Sequence, residues 1–151
     1  MKARLPLTHC LVAALVVPSL AFASLGGNVA SIQADQVQMK ATSRIASTQA
    51  KYTVHEIQMT SGTAVREYVS TNGTVFGVAW NGPAVPNLRQ VLGQYFVPFT
   101  QAPKARQSDH SHLLIQQAGL VVRASGHMRA FKGSAFIPSM LPQGVTTNEI
   151  L

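Results

Sequence analysis

Thr63-Ala64-Val65-Arg66-Glu67-Tyr68-Val69-Ser70-Thr71-Asn72-Gly73-Thr74-Val75-Phe76-Gly77-Val78-Ala79-Trp80 is the stretch that decides the fold. Two runs rich in β-branched and aromatic residues flank Asn72-Gly73. That dipeptide is a strong hairpin signal, because a two-residue type I′ turn needs positive φ at both centres. With Thr71 facing Thr74, Val69 meets Phe76, Glu67 meets Val78 and Val65 meets Trp80. One face then carries Val65, Val69, Phe76, Val78 and Trp80, a core face with Glu67 in its middle. The other carries Arg66, Tyr68, Ser70, Val75, Gly77 and Ala79, with Tyr68 placed to cover the bare Gly77.

The pattern extends on both sides. Lys51 to Met59 reads as a further strand, closed by Ser61-Gly62. Leu88, Val91, Leu92 and Tyr95 fall at i, i+3, i+4 and i+7, an amphipathic helix that begins at Pro86-Asn87 and is stopped by Pro98. Thr100 to Ser111 is polar and reads as an exposed loop. Leu113–Gln116, Leu120–Ala124, His127–Phe131 and Ser134–Ile137 read as short antiparallel strands. Ala118-Gly119, Ser125-Gly126 and Gly133 separate them. The tail from Pro138 is irregular. Upstream, Val29, Ile32, Val37 and Met39 give a helical stripe that predicts a helix from about Val29 to Arg44, with a partly ordered arm as the alternative. The sum is an α+β fold: an antiparallel sheet of hairpins, an N-terminal helix, and one short helix between strand groups.

The first 23 residues read as an export leader. Lys2 and Arg4 precede an apolar stretch from Cys10 to Phe22, and Ala21-Phe22-Ala23 places small residues for cleavage before Ser24. The stretch is too short and broken to span the ~30 Å of a bilayer core, and nothing later is more apolar, so no transmembrane segment is expected in the mature chain. The organisation is thus a leader over 1–23, the helix or arm over 24–50, and a single α+β domain over 51–151. Removing 23 of 151 residues leaves 128, enough for one self-sufficient core. The single cysteine, Cys10, leaves with the leader, so the mature domain has neither disulfide nor thiolate chemistry. Lys2 and Arg4 leave with it too while all five acids stay, so the net charge falls from +7 to +5. The cations are scattered, without the basic run or aromatic stripe of a nucleic-acid binder, and no nucleic-acid partner is expected.

Few residues offer chemistry. Glu67, on an apolar face, must find a cation or carry a raised pKa, and the second is how general acids are made. Pairing Leu120–Ala124 with His127–Phe131 puts Arg129 on a core face, so the structural reading is a buried Glu67–Arg129 pair, or Glu67 at a wet sheet edge. Asp109-His110-Ser111-His112 is the one cluster of metal-ligand types. His110 and His112 can share an ion with His55 or His127 as a third ligand, although the segment is a polar loop where such residues are simply exposed. The Gly-x-Ser-x-Gly elbow, phosphate loops and dinucleotide glycine patterns are missing, so no cofactor is expected. Trp80, Tyr95, Phe96 and Phe99 fit a core better than a sugar groove.

The run Arg66 to Ser70, then Gly73 to Pro83, Pro86 to Leu88 and Leu92 to Phe96, resembles a known bacterial family. So do Gly126 to Ala135, Pro138, Leu141 to Val145, and Leu25-Gly26-Gly27. Together they resemble the domain-of-unknown-function family 2844 of exported proteobacterial proteins, over nearly the whole mature chain. Asn87 stands where that family suggests an acid, a mild change of helix cap. The resemblance implies one exported domain, brings no activity or ligand, and marks Glu67, Trp80, His127 and Arg129 for testing.

The reading that follows is an exported, non-catalytic protein of the cell envelope, in the periplasm or outside the cell. It binds an envelope protein or polymer through a sheet face or edge, in an oligomeric state the sequence does not fix. The alternative is a small envelope hydrolase or metal-dependent enzyme using Glu67 with His127 or the Asp109 to His112 cluster. The two differ in whether Glu67, His127 and Arg129 converge on one open cleft.

Overall fold

A computed structural model describes residues 24–29, 37, 39–102, 112–117 and 119–150. The leader, Asp109 and His110 lie outside them. The described chain is mostly β. Its seven strands are β1 (Ala41–Thr48), β2 (Tyr52–Met59), β3 (Ala64–Ser70), β4 (Val75–Gly82), β5 (His112–Gln117), β6 (Leu120–His127) and β7 (Ala130–Phe136). They form one sheet in the order β1-β2-β3-β4-β7-β6-β5, and every neighbouring pair is antiparallel. The helices are α1 (Leu88–Leu92) and α2 (Phe96–Gln101), joined by the 3₁₀ turn Gly93–Tyr95. Two further 3₁₀ turns, Pro138–Met140 and Thr147–Glu149, punctuate the tail.

The α+β expectation with an N-terminal helix is overturned. Ala41–Thr48 is one of the two edge strands of the sheet, paired along β2 from Ala41↔Met59 to Thr48↔Thr53. Thr42, Ile45 and Thr48 are β-branched, and the apolar stripe ends at Met39, before this strand begins, so an available sheet edge outweighs the helical period. Residues 30–36 and 38 of the expected helix lie outside the described residues. Earlier still, Asn28 bridges Thr74, and Leu25 is fully buried.

The helix between the strand groups forms as expected, and Asn87 caps it by accepting from the Arg89 N–H at 3.1 Å. It does not end at Pro98, which sits in the first turn of α2, where its missing N–H would have had no helical partner.

The central hairpin forms with a different turn. The Gly73 N–H donates to the Ser70 carbonyl (2.9 Å) and the Ser70 N–H to the Thr74 carbonyl (2.9 Å), which encloses three residues instead of two. Gly73 takes φ +84 and Asn72 stays at negative φ, where its Oδ1 accepts from the Thr74 N–H (3.2 Å). Val65↔Trp80 and Glu67↔Val78 hold as expected. Val69 instead meets Val75, and the compensating bulge beside Phe76 turns that ring to the opposite face.

Two cores result, one on each side of the sheet. On the first, Ile57, Val65, Val69, Val78, Trp80, Val122 and Ala135 pack beneath α1, α2 and Leu25, with Tyr95, Phe96 and Phe99 at the margin. On the second, Tyr68, Phe76, Val121 and Phe136 pack against Ile150 of the tail. Ile150 fills the notch over Gly77, where a Cβ would lie 3.1 Å from its Cδ1. Tyr52 donates to Glu149 (3.0 Å) and ties the tail down.

The far hairpin is also corrected. β6 runs straight through Ser125-Gly126, and the turn falls at Met128-Arg129, with His127 facing Ala130. Gly126 and Gly133 are not turn residues. Each leaves room for a ring from a neighbouring strand, Phe131 and Trp80 respectively.

Candidate functional site

The sheet's register assembles the second face row by row. Directly opposed residues share a face, and so do residues two apart along one strand. Tyr68, Gly77, Phe136 and Val121 form an apolar row under the tail. The next row is Arg66, Ala79, Ser134, Arg123 and Leu114; the one beyond is Ala64, Asn81, Lys132, Ser125 and His112. These two rows border an open cleft of ≈ 420 Å³ that brings together Arg66, Arg123, Lys132 and His112 with the polar Asn81 and Ser125. Among the described residues, its obligate cations Arg66, Arg123 and Lys132 come from three different strands.

Two of them are held in place. The Arg66 Nε donates to Glu56 Oε2 at 2.7 Å across β2 and β3. The Arg123 guanidinium lies over the Phe136 ring, 5.5 Å from its centroid, at the border of the apolar row. Lys132 is exposed at the rim. Guanidinium, ammonium and amide or hydroxyl groups converging on one concave surface form an anion-recognising set. A larger cavity of ≈ 640 Å³ lies between Ser24–Asn28 and Asn87–Gln94, and among the described residues its lining contains one charged side chain, Arg89. The smaller cleft is the better candidate because its cations converge.

The residues singled out for catalysis do not meet. Glu67 is buried, 1% exposed, on the helix-covered face. Arg129 sits exposed in the β6–β7 turn at φ +60, so the expected Glu67–Arg129 pair does not form; that pairing assumed a turn at Ser125-Gly126. His127 is exposed at the end of β6, and His112 opens β5 in the basic cleft, on the face opposite Glu67. Among the described residues, no three His, Cys, Asp or Glu side chains gather as a metal site.

Sequence reasoning missed Glu67's neighbour. His55 lies directly opposite it on β2, and the His55 Nδ1 is 3.0 Å from the Arg44 Nη2 on β1. A guanidinium only donates, so Nδ1 accepts and the imidazole proton sits on Nε2. Burial first, and the Arg44 charge second, hold the His55 pKa below its ordinary value. The signal was available by counting strand positions back through the Ser61-Gly62 turn, which sets His55 against Glu67 and Ile57 against Val65.

A pH dependence follows. An unfolded histidine titrates near ~6.5, and the folded value is lower, so the unfolded chain binds the extra proton first. The contribution is complete above that unfolded value and is lost as the pH falls from it toward the folded value. The melting temperature is expected to fall on acidification from pH 7.5, and His55→Gln is expected to flatten that part of the fall. Glu149 acts in a separate, more acidic window. The Thr146 N–H first, and the Tyr52 hydroxyl second, lower its pKa, so its contribution is lost as the pH drops through that depressed value.

Among the described residues, no helix is long and apolar enough to cross a membrane. Residues 21–150 match the family described as Protein of unknown function (DUF2844). No curated protein and no solved structure matches the chain.

Proposed function

Since the chain belongs to that family of proteins of unknown function, we propose from its geometry that it is an exported, non-catalytic binding protein of the cell envelope. Its ligand is anionic and docks on the open half of the second sheet face. The carrying observation is the convergence of Arg66, Arg123 and Lys132 on one cleft beside Asn81 and Ser125. The non-catalytic reading is supported by the separation of Glu67 from His127 and Arg129. Those groups would have to share an opening to do acid–base work. The export reading rests on the basic start, apolar stretch and small-residue cleavage site of residues 1–23. The ligand class follows from charge: polymers and headgroups carrying carboxylate or phosphate are drawn to such a surface, and neutral ones are not.

The test is calorimetric titration with an alginate oligomer, a carboxylate polymer, and with a neutral dextran of equal length. Binding to the first alone is expected, weakening steeply with added salt. Arg123→Ala and Lys132→Ala are each expected to weaken it roughly tenfold, the scale of one lost charge-assisted hydrogen bond. Equal binding of both polymers, or alginate affinity unchanged in both variants, would remove the cleft from the account.

A further inference from the structure

Among the described residues β1 is an outer strand of the sheet, and it carries almost none of the devices that keep such edges from pairing. It contains no proline and no lysine, and its one bulge is confined to the start, between Ala41 and Ser43. Ile45 projects at its centre, 65% exposed. The strand is also nearly symmetric in sequence. Thr42-Ser43-Arg44-Ile45-Ala46-Ser47-Thr48 reads the same from either end except at Arg44 and Ala46.

We propose that β1 pairs with β1 of a second copy of this chain, antiparallel about a two-fold axis through Ile45, joining two sheets into one. A two-fold axis perpendicular to the sheet keeps each face on its own side and sets residue 45 opposite residue 45. Ser43 then faces Ser47, Thr42 faces Thr48, and Arg44 faces Ala46. Like hydroxyl residues meet like, the exposed isoleucines cover one another, and both kinds of cross-strand pair are favourable.

The two asymmetric positions fit the same arrangement. Arg44 is the strand's only charge, and two arginines directly opposite would repel. The register gives each a small alanine instead and leaves the arginines diagonal to one another. Each guanidinium is also drawn back onto its own sheet by His55, 3.0 Å away. A segment evolved only for water would not need this matching, and a foreign strand would not need the symmetry. Because the axis preserves faces, both basic clefts lie on one side of the joined sheet, so a polymer long enough to reach both would engage them together.

A single strand pair buries far less than the ~1,600 Å² of a standard interface, so the association is weak and concentration-dependent. The test is sedimentation velocity on protein purified from expression of the full chain, over a wide concentration range, with circular dichroism to confirm folding. The wild-type mass is expected to rise toward twice the monomer value. Ile45→Lys and Ile45→Glu, at an exposed position that leaves the core intact, are each expected to weaken self-association at least tenfold. An equimolar mixture of the two is expected to regain the dimer, since opposite charges then face across the axis. The proposal is overturned if the wild type stays monomeric throughout, as it would were the edge reserved for another protein. It is equally overturned if Ile45→Lys dimerises like the wild type, or if the mixture does not recover.

Discussion

Valine in place of Gly133 is expected to destabilise the fold by about 3 kcal/mol, seen as a melting temperature lower by roughly 10 °C. Gly133 lies in β7, between β4 and β6, opposite Trp80 on one side and Ala124 on the other. The indole of Trp80 occupies the volume a Cβ at 133 would need, and the Arg123 carbonyl stands 2.8 Å from that point. Trp80 is 3% exposed within the helix-covered core, so moving the ring would disturb the side chains packed around it. The cause can be separated from a generic strand effect. Trp80→Leu alone is expected to cost about 3 kcal/mol through the lost ring. The double variant is expected to fall short of the sum by 1 kcal/mol or more, because the clash vanishes with the indole. Strict additivity in urea denaturation would show that Gly133 is kept for another reason.

The same glycine explains one limit of the sequence. Ser125-Gly126 and Gly133 look like breaks because glycine is usually read as turn punctuation, yet both glycines serve close approach between strands. The true turn, Met128-Arg129, contains no glycine and places Arg129 at positive φ. Local pattern located β2, β3, β4 and β5, since β-branched alternation is a property of each segment, but it ran an expected strand, His127–Phe131, across the true turn and split β7 at Gly133. It located the central hairpin too, but erred in turn length and so in the faces of Val75 and Phe76, because Asn-Gly also suits a turn in which glycine alone takes positive φ. β1 was invisible for a different reason: its residues are polar on both sides, as an outer strand allows, so it shows no two-residue period.

The candidate cleft was less legible than the fold. Arg123 and Lys132 share the β6–β7 hairpin, but Arg66 stands far before them in the chain, and its meeting with them depends on β4 pairing with β7, a contact that no local signal reports. Glu67 could be placed on a core face from register alone, and the structure puts it there. Its neighbour could not be placed without the β2 pairing, and the guess of Arg129 inherited the misplaced turn.

Leu25→Ala is expected to be nearly as damaging as the change at Gly133, about 3 kcal/mol, although residue 25 stands far before the first strand. Leu25 is fully buried within the helix-side core. Its N–H donates to the Val91 carbonyl (3.1 Å), the Gly26 N–H donates to the Val75 carbonyl (2.8 Å), and the Val75 N–H returns a bond to Gly27 (2.9 Å). The Ser24 Oγ fills the space where Gly93 lacks a side chain. This short segment thus bonds to α1 and to the start of β4 at once. Five residues are far too few for a helix to persist alone in water, so α1 depends on such tertiary anchors. Losing the leucine therefore removes a core side chain and loosens the clamp between helix and hairpin. Val29→Ala, at a position 37% exposed, is the matched control and should shift the urea midpoint little. If the two variants unfold at the same midpoint, the segment is only draped over the domain. If Leu25→Ala alone falls, the residues next to the expected cleavage point are part of the core, and a cut placed after Leu25 would leave a weakened protein.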